Sequence, residues 1–185
     1  MQYFFPAIEE ERQVDLRSMI RELPDFPKPG ISFKDISTLL KDGKALDYAT
    51  SALADPFRDK EIELVVAVEA RGFAIGAPVA CKLGAGFVLV RKPGKLPADT
   101  LRYEYELEYG TDTLEIHKDA ISPGQKVLIV DDVLATGGTV SAAIRMVEQL
   151  GGDIQGLAFL IELEDLAGRS RLAKYDVLSL VKYND

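Results

Sequence analysis

The chain has 185 residues, 47% hydrophobic and 28% charged, an ordinary balance for one soluble globular domain that buries roughly 70% of its unfolded surface. Its 22 Lys and Arg stand against 30 Asp and Glu, a net charge of −8, which argues against a broadly basic nucleic-acid surface, and no apolar run approaches the ~20 residues that cross a bilayer. One cysteine (Cys81) and one histidine (His117) exclude an intrachain disulfide and a His/Cys zinc site, and they leave Ser-His-Asp chemistry without a nucleophile elbow.

The opening MQYFFPAIEEERQ turns acidic at once and lacks the basic region and long apolar core of a secretory signal, so the expected location is cytoplasmic. Leu16, Met19, Ile20 and Leu23 recur at helical spacing, which predicts a helix over Ala7–Leu23 closed by Pro24. Pro27, Pro29 and Gly30 then give an irregular loop before Ile31, and a second helix is expected over Gly43–Arg58.

From there strands and helices alternate. Ile62–Val68 is a near-continuous apolar strand, Gly72–Leu83 reads as a helix despite Gly76 and Pro78, and Phe87–Val90 is the next strand. Lys126–Val130, Ile154–Leu163 and Asp176–Val181 are further strands. Between them lie a helix over Thr139–Leu150, stopped by Gly151 and Gly152, and a short helix over Leu166–Ala173. With no repeat, linker or domain break, residues 1–185 read as one α/β domain with a doubly wound, mainly parallel sheet, whose ligands belong beyond the carboxyl ends of the strands. Leu101–Asp119 breaks the alternation with period-two character, and is expected to form a polar two-stranded ribbon outside the core sheet. The pattern alone fits a lid or a plain surface hairpin.

Residues 126–141, KVLIVDDVLATGGTVS, carry the most chemistry. An apolar strand runs into Asp131 and Asp132, and the loop Ala135-Thr136-Gly137-Gly138-Thr139 opens onto a helix. Loop and helix-start N–H groups suit an anion, aided by the helix dipole, and glycines allow close backbone approach. Adjacent carboxylates repel phosphate, so their partners are sugar hydroxyls or a hard cation such as Mg²⁺. A carboxylate pair beside an anion cradle therefore points to a phosphorylated sugar. A Walker-type loop is excluded because no Lys follows the glycines. Two other basic features are candidates for diphosphate. Arg71 follows a strand end, where its guanidinium fork matches paired oxygens, and Arg91, Lys92 and Lys95 place three positive charges on a loop with Pro93 and Gly94.

The 126–141 motif resembles the ribose-phosphate signature of the type I phosphoribosyltransferases. The likeness extends to the adenine-specific members. Phe26-Pro27-Lys28-Pro29-Gly30-Ile31-Ser32-Phe33-Lys34-Asp35-Ile36 is similar to their base-covering motif, and Glu69-Ala70-Arg71-Gly72-Phe73 to their pyrophosphate loop. Arg91-Lys92-Pro93-Gly94-Lys95-Leu96-Pro97 resembles their basic loop, and Leu107-Glu108-Tyr109-Gly110 their lid. The match runs from about Leu23 to Leu180.

The resemblance implies an N-terminal helix and base-covering hood over about residues 1–36, a lid over about 101–119, and transfer of phosphoribose from its diphosphate to adenine, as in purine salvage. It assigns acid/base work to Glu108 and closure to Tyr109, with base contacts around Ile31, Ser32, Phe33 and Lys34. It implies Mg²⁺ held mainly through substrate near Asp131 and Asp132. It also implies a homodimer in which the Arg91–Lys95 loop reaches a neighbour's diphosphate. Ser32 departs from the apolar residue expected there. The absence of Lys from Ile154–Ala173 favours adenine over oxo-purines, whose enzymes commonly offer the base carbonyl a Lys. The alternatives are a xanthine or other oxo-purine transferase, and a non-catalytic sensor of phosphoribosyl diphosphate. The sensor would need an appended basic DNA-binding helix pair, for which the chain lacks both length and charge.

Overall fold

The computed structural model describes residues 14–106 and 111–184. Two short antiparallel strands come first, β1 (Arg21–Leu23) and β2 (Phe33–Asp35), followed by α1 (Ser37–Leu40) and α2 (Gly43–Ala54). The alternating part is β3 (Leu64–Val68), α3 (Arg71–Leu83) and β4 (Gly86–Val90). The ribbon β5 (Thr100–Glu106) and β6 (Thr111–His117) comes next, then β7 (Lys126–Leu134), α4 (Gly138–Gln149), β8 (Asp153–Leu163) and β9 (Val177–Tyr183). Five strands form one sheet in the order β4-β3-β7-β8-β9, and every pairing in it is parallel.

The side-chain period of two sorts these strands onto two faces. Val65, Leu128, Val130, Ala158 and Leu160 pack with Ala45, Ala49 and Leu53 of α2 and Ile75 and Val79 of α3. Val66, Val68, Val127, Ile129, Leu157 and Phe159 pack on the other side with Val140, Ala143, Ile144 and Val147 of α4. Helices thus cover both faces, as a buried parallel sheet requires. The ribbon stays out of this sheet apart from one bridge between Arg91 and Glu115, but Leu114 and Ile116 on its inner face are buried in the α4-side core.

Three expectations need correction. Within Ala7–Leu23, residues 7–13 lie outside the described residues, and the rest is a turn followed by β1 instead of a helix. Leu16 and Ile20 are buried as their spacing demanded, but the Met19 carbonyl accepts from Thr38 Oγ1 at 2.7 Å, a lateral tie that holds the turn against the following chain. The helix expected to Arg58 stops at Ala54 and continues as a 3₁₀ turn over Asp55–Lys60, with Pro56 near its start. Leu166–Ala173 is likewise not one helix but two 3₁₀ turns, Glu164–Leu166 and Gly168–Leu172, broken at Ala167 with φ +51°.

β2 had no sequence signal, because three residues are too few to show a period. Asp35 anchors it, accepting from Ser37 N–H at 2.9 Å and Arg21 Nε at 3.0 Å. Hydrogen bonds from Ser37 and then Arg21 hold this carboxyl at about 2, below its usual range.

Candidate active site

The parallel strands deliver the site. β3 ends at Val68 and β7 at Leu134, and the segments that follow them line a cavity of ≈ 490 Å³. Its walls include Glu69, Ala70 and Arg71 on one side, and Asp131, Asp132 and the Ala135–Thr139 loop on the other. The α4 helix starts at Gly138, so its first N–H groups and dipole lie at this wall. This is the position beyond strand carboxyl ends where open α/β sheets bind ligands.

Asp131 and Asp132 lie within β7, not after it, because β8 is long enough to keep pairing: Asp131 is opposite Phe159 and Val133 opposite Ile161. Alternation along the strand sends the two carboxylates to different neighbours. A Cβ built on Gly72 would fall 2.5 Å from Asp131 Oδ1, so the first turn of α3 leaves space for that carboxylate only because residue 72 has no side chain. Asp131 Oδ1 also accepts the Asp132 N–H at 2.9 Å. Asp132 is 6% exposed and its Oδ2 lies 2.7 Å from Arg71 Nε.

Burial, and then the charge of Asp132, push the Asp131 carboxyl well above the usual carboxylate range. Burial also raises Asp132, against the pull of Arg71. The pair therefore carries excess negative charge that hydroxyl donors or a cation would relieve. Among the described residues no group of three or more His, Cys, Asp or Glu is placed to hold a metal. Two carboxylates, one already paired with arginine, are too few to hold a Mg²⁺ by themselves and would fit one held mainly through a substrate.

Arg71 also lies with its guanidinium carbon 4.9 Å from the Phe33 ring centroid, and Phe26 packs edgewise on Phe33 at 5.1 Å. The 26–36 segment and the acidic pair are therefore joined through Arg71. Phe26 and Ile31 are exposed large apolar residues on that segment. Lys34 points elsewhere: it is buried, with its Nζ 2.8 Å from Glu22 Oε2, 3.0 Å from Ser32 Oγ and over the Tyr183 ring. The structure thus brings Phe33 to the Arg71 side of the site, while Lys34 bonds to Glu22 and Ser32 within the same N-terminal segment and meets β9 through the Tyr183 ring.

Arg91, Lys92 and Lys95 do not line the cavity. Arg91 Nε donates to Glu69 Oε2 at 2.8 Å, the Lys92 N–H donates to Glu69 Oε1 at 2.5 Å, and Lys92 Nζ pairs with Asp112 on the ribbon. Burial raises the Glu69 carboxyl, but the Lys92 N–H and the Arg91 guanidinium outweigh it and hold it below the usual range. Thr139 meets the ribbon too, its Oγ1 lying 3.4 Å from the Tyr105 hydroxyl. Glu108 and Tyr109 lie outside the described residues.

The phosphoribosyl transferase domain model matches residues 35–184. The adenine phosphoribosyltransferase of Alkaliphilus oremlandii is 62% identical over 170 residues, covering 92% of this chain and 99% of that protein. The chain belongs to the adenine phosphoribosyltransferase family. The crystal structure of the enzyme of that name from Thermoanaerobacter pseudethanolicus superposes with a TM-score of 0.88 at 59% identity, covering 91% of this chain and 98% of that one. The Saccharomyces cerevisiae structure, complexed with an imino-altritol bisphosphate and adenine, superposes with a TM-score of 0.83 at 40% identity, covering 88% and 94%.

Within this adenine phosphoribosyltransferase-family chain, three residues that were not among the candidate site residues lie against the site or the groups that form it. Glu69 stood inside a quoted motif, and a carboxylate beside a basic loop was the available signal. Gly72 stood there too, but its need for smallness depends on where Asp131 points. Gly168 had no local signal at all; a Cβ on it would fall 2.0 Å from the Ala135 carbonyl oxygen.

Proposed function

We propose that the protein transfers the phosphoribosyl group of phosphoribosyl diphosphate to adenine, giving AMP and pyrophosphate, in purine salvage. The observation that carries this reading is the meeting of an acidic pair, an arginine and a helix-start loop at one cavity. The relatives that share this chain over nearly its whole length are adenine phosphoribosyltransferases. The oxo-purine and sensor alternatives have no comparable support.

In this reading the Ala135–Thr139 loop takes the 5′-phosphate, and Asp131 and Asp132 take the ribose hydroxyls. Arg71 faces the diphosphate while its other contact supports Phe33 under the purine. Asp131 and Asp132 would stand near a Mg²⁺ held mainly through substrate, which when bound would supply charge neutralisation for the leaving group. Glu108 handles the proton of the attacking base, a kind of contribution worth ~10²–10⁴-fold, and Tyr109 helps to shut out water. A homodimer is part of the proposal. Arg91 and Lys92 are held by Glu69 and Asp112 outside their own cavity, consistent with service to a neighbouring site. No helix among the described residues is long and apolar enough to cross a membrane, and we place the enzyme in the cytoplasm.

The test is product formation from phosphoribosyl diphosphate with adenine, hypoxanthine, guanine and xanthine in parallel, with and without Mg²⁺. AMP from adenine alone, lost on chelation, is the expected result. Turnover only with an oxo-purine would overturn the base assignment, and binding without turnover of any base would favour a sensor.

A further inference from the structure

The segment between β8 and β9 lies against the phosphate loop, backbone on backbone. A Cβ built on Gly168 would fall 2.0 Å from the Ala135 oxygen and 2.9 Å from the Gly137 nitrogen, while one on Gly137 would fall 2.9 Å from the Gly168 oxygen. Gly168 is buried and does not line the cavity, whereas Ala135, Gly137 and Gly138 do. The loop is therefore backed by residue 168 over the stretch that presents its N–H groups.

The next residue fixes that backing in place. Arg169 reaches four acceptors on two strands. Its Nε donates to Glu162 Oε1 at 2.8 Å and its Nη2 to Glu162 Oε2 at 2.5 Å, a two-pronged pairing with a carboxylate that is 3% exposed. Its Nη1 donates to the Val177 carbonyl at 2.9 Å and its Nη2 also lies 3.2 Å from Ser179 Oγ. Glu162 belongs to β8 and is opposite Leu134, the last residue of β7, so the clamp grips the sheet next to where the loop leaves it. A mere linker between two strands has no need of a fork held on both of them.

We propose that Gly168 and Arg169 are positioning residues for the substrate's phosphate: Arg169 pins the 164–172 segment to β8 and β9, and Gly168 sets the Ala135–Gly137 backbone that receives the anion. This rests on the reading that the loop binds the 5′-phosphate. It predicts that small changes remote from the cavity alter phosphate affinity selectively, since displacements near 1 Å at a positioning contact cost up to about 10²-fold.

The experiment uses the full chain with ribose 5-phosphate as the titrant and steady-state kinetics alongside. Gly168→Ala is expected to weaken ribose 5-phosphate binding and raise the KM for phosphoribosyl diphosphate about tenfold or more, with the adenine KM within about twofold of wild type. Arg169→Gln removes the fork without adding bulk, and is expected to act in the same direction even if Gly168→Ala does not fold. Arg169→Lys, which keeps the charge, should recover part of the loss. Leu53→Ala, on the buried face of α2, should lower Tm without changing either KM. Wild-type ribose 5-phosphate affinity in a folded Arg169→Gln protein would overturn the positioning role, as would an equal KM shift in Leu53→Ala. If the unmodified protein bound no ribose 5-phosphate, the underlying phosphate reading would fall instead.

Discussion

Gly72 and Asp131 fit together as a missing side chain and the carboxylate that takes its place: a Cβ on Gly72 would stand 2.5 Å from Asp131 Oδ1. The first turn of α3 and the end of β7 are thereby matched at the cavity wall. Gly72→Ala should push the carboxylate off its position and lower kcat/KM for phosphoribosyl diphosphate by about 10²-fold, with little change in Tm. Gly76 in the same helix offers the contrast, since a Cβ there would meet Ala67 Cβ at 2.7 Å and the Phe87 ring at 3.0 Å. Gly76→Ala should cost stability, about 1–3 kcal/mol, with a smaller effect on activity. Thermal melts and kinetics on both variants check the pair; the reverse pattern would show that Asp131 is not in the site.

The acidic pair also sets a pH dependence. Burial raises both Asp131 and Asp132, and the charge of Asp132 adds to the rise at Asp131, so the folded state holds protons more tightly than the unfolded chain. Stability must then fall as pH rises from the ordinary Asp value of about 3.9 through the raised values, and the full penalty remains above them. Asp131→Asn removes it while leaving the Asp132–Arg71 pair in place. This variant should melt a few degrees higher than wild type at neutral pH, about 1 kcal/mol or more, with the gap closing below roughly pH 4. Its kcat should fall sharply over the same pH range. Lower stability of the variant at neutral pH would mean that the pair is already relieved by contacts within the protein.

Much of this was legible because the signals were local. The run from Lys126 to Val140 declares a strand, an acid pair and a helix start within a few residues, and the apolar β3, β7 and β8 could be read on both faces. What escaped depends on separation in the chain. Gly168 meets Ala135 across 33 positions, and no pattern near either residue announces the contact. The turn at Leu16–Ile20 misled for the opposite reason. Its apolar spacing satisfies a helix and a tight turn equally, and a hydrogen bond from Thr38, far along the chain, accompanies the turn.

Phe33 joins the hood to the site through Arg71, which lies 4.9 Å from its centroid. If the ring also supports a purine, Phe33→Leu should raise the adenine KM about tenfold, since base–aromatic stacking contributes ~1–3 kcal/mol. Because the aliphatic side chain still packs against Arg71, the KM for phosphoribosyl diphosphate should change less. Equal shifts in both constants would assign Phe33 to holding Arg71 and not to the base.

Gly137 separates two reasons for a glycine in the Ala135–Thr139 loop. Close approach of an anion is the reason suggested by sequence, but in the structure φ is +81° and a Cβ would face the Gly168 carbonyl at 2.9 Å. Backbone conformation and packing thus both forbid a side chain, irrespective of any ligand. Gly124 has a similar φ of +85° with open space around it, so Gly124→Ala should show the conformational cost alone, about 1 kcal/mol. Gly137→Ala should be destabilised by more than that, and should also lose ribose 5-phosphate affinity because the loop can only yield by moving away from Gly168. Denaturant melts of the two variants, followed by titration of the folded Gly137→Ala protein, distinguish the contributions. If Gly137→Ala were no less stable than Gly124→Ala yet bound no phosphate, the glycine would serve the anion directly.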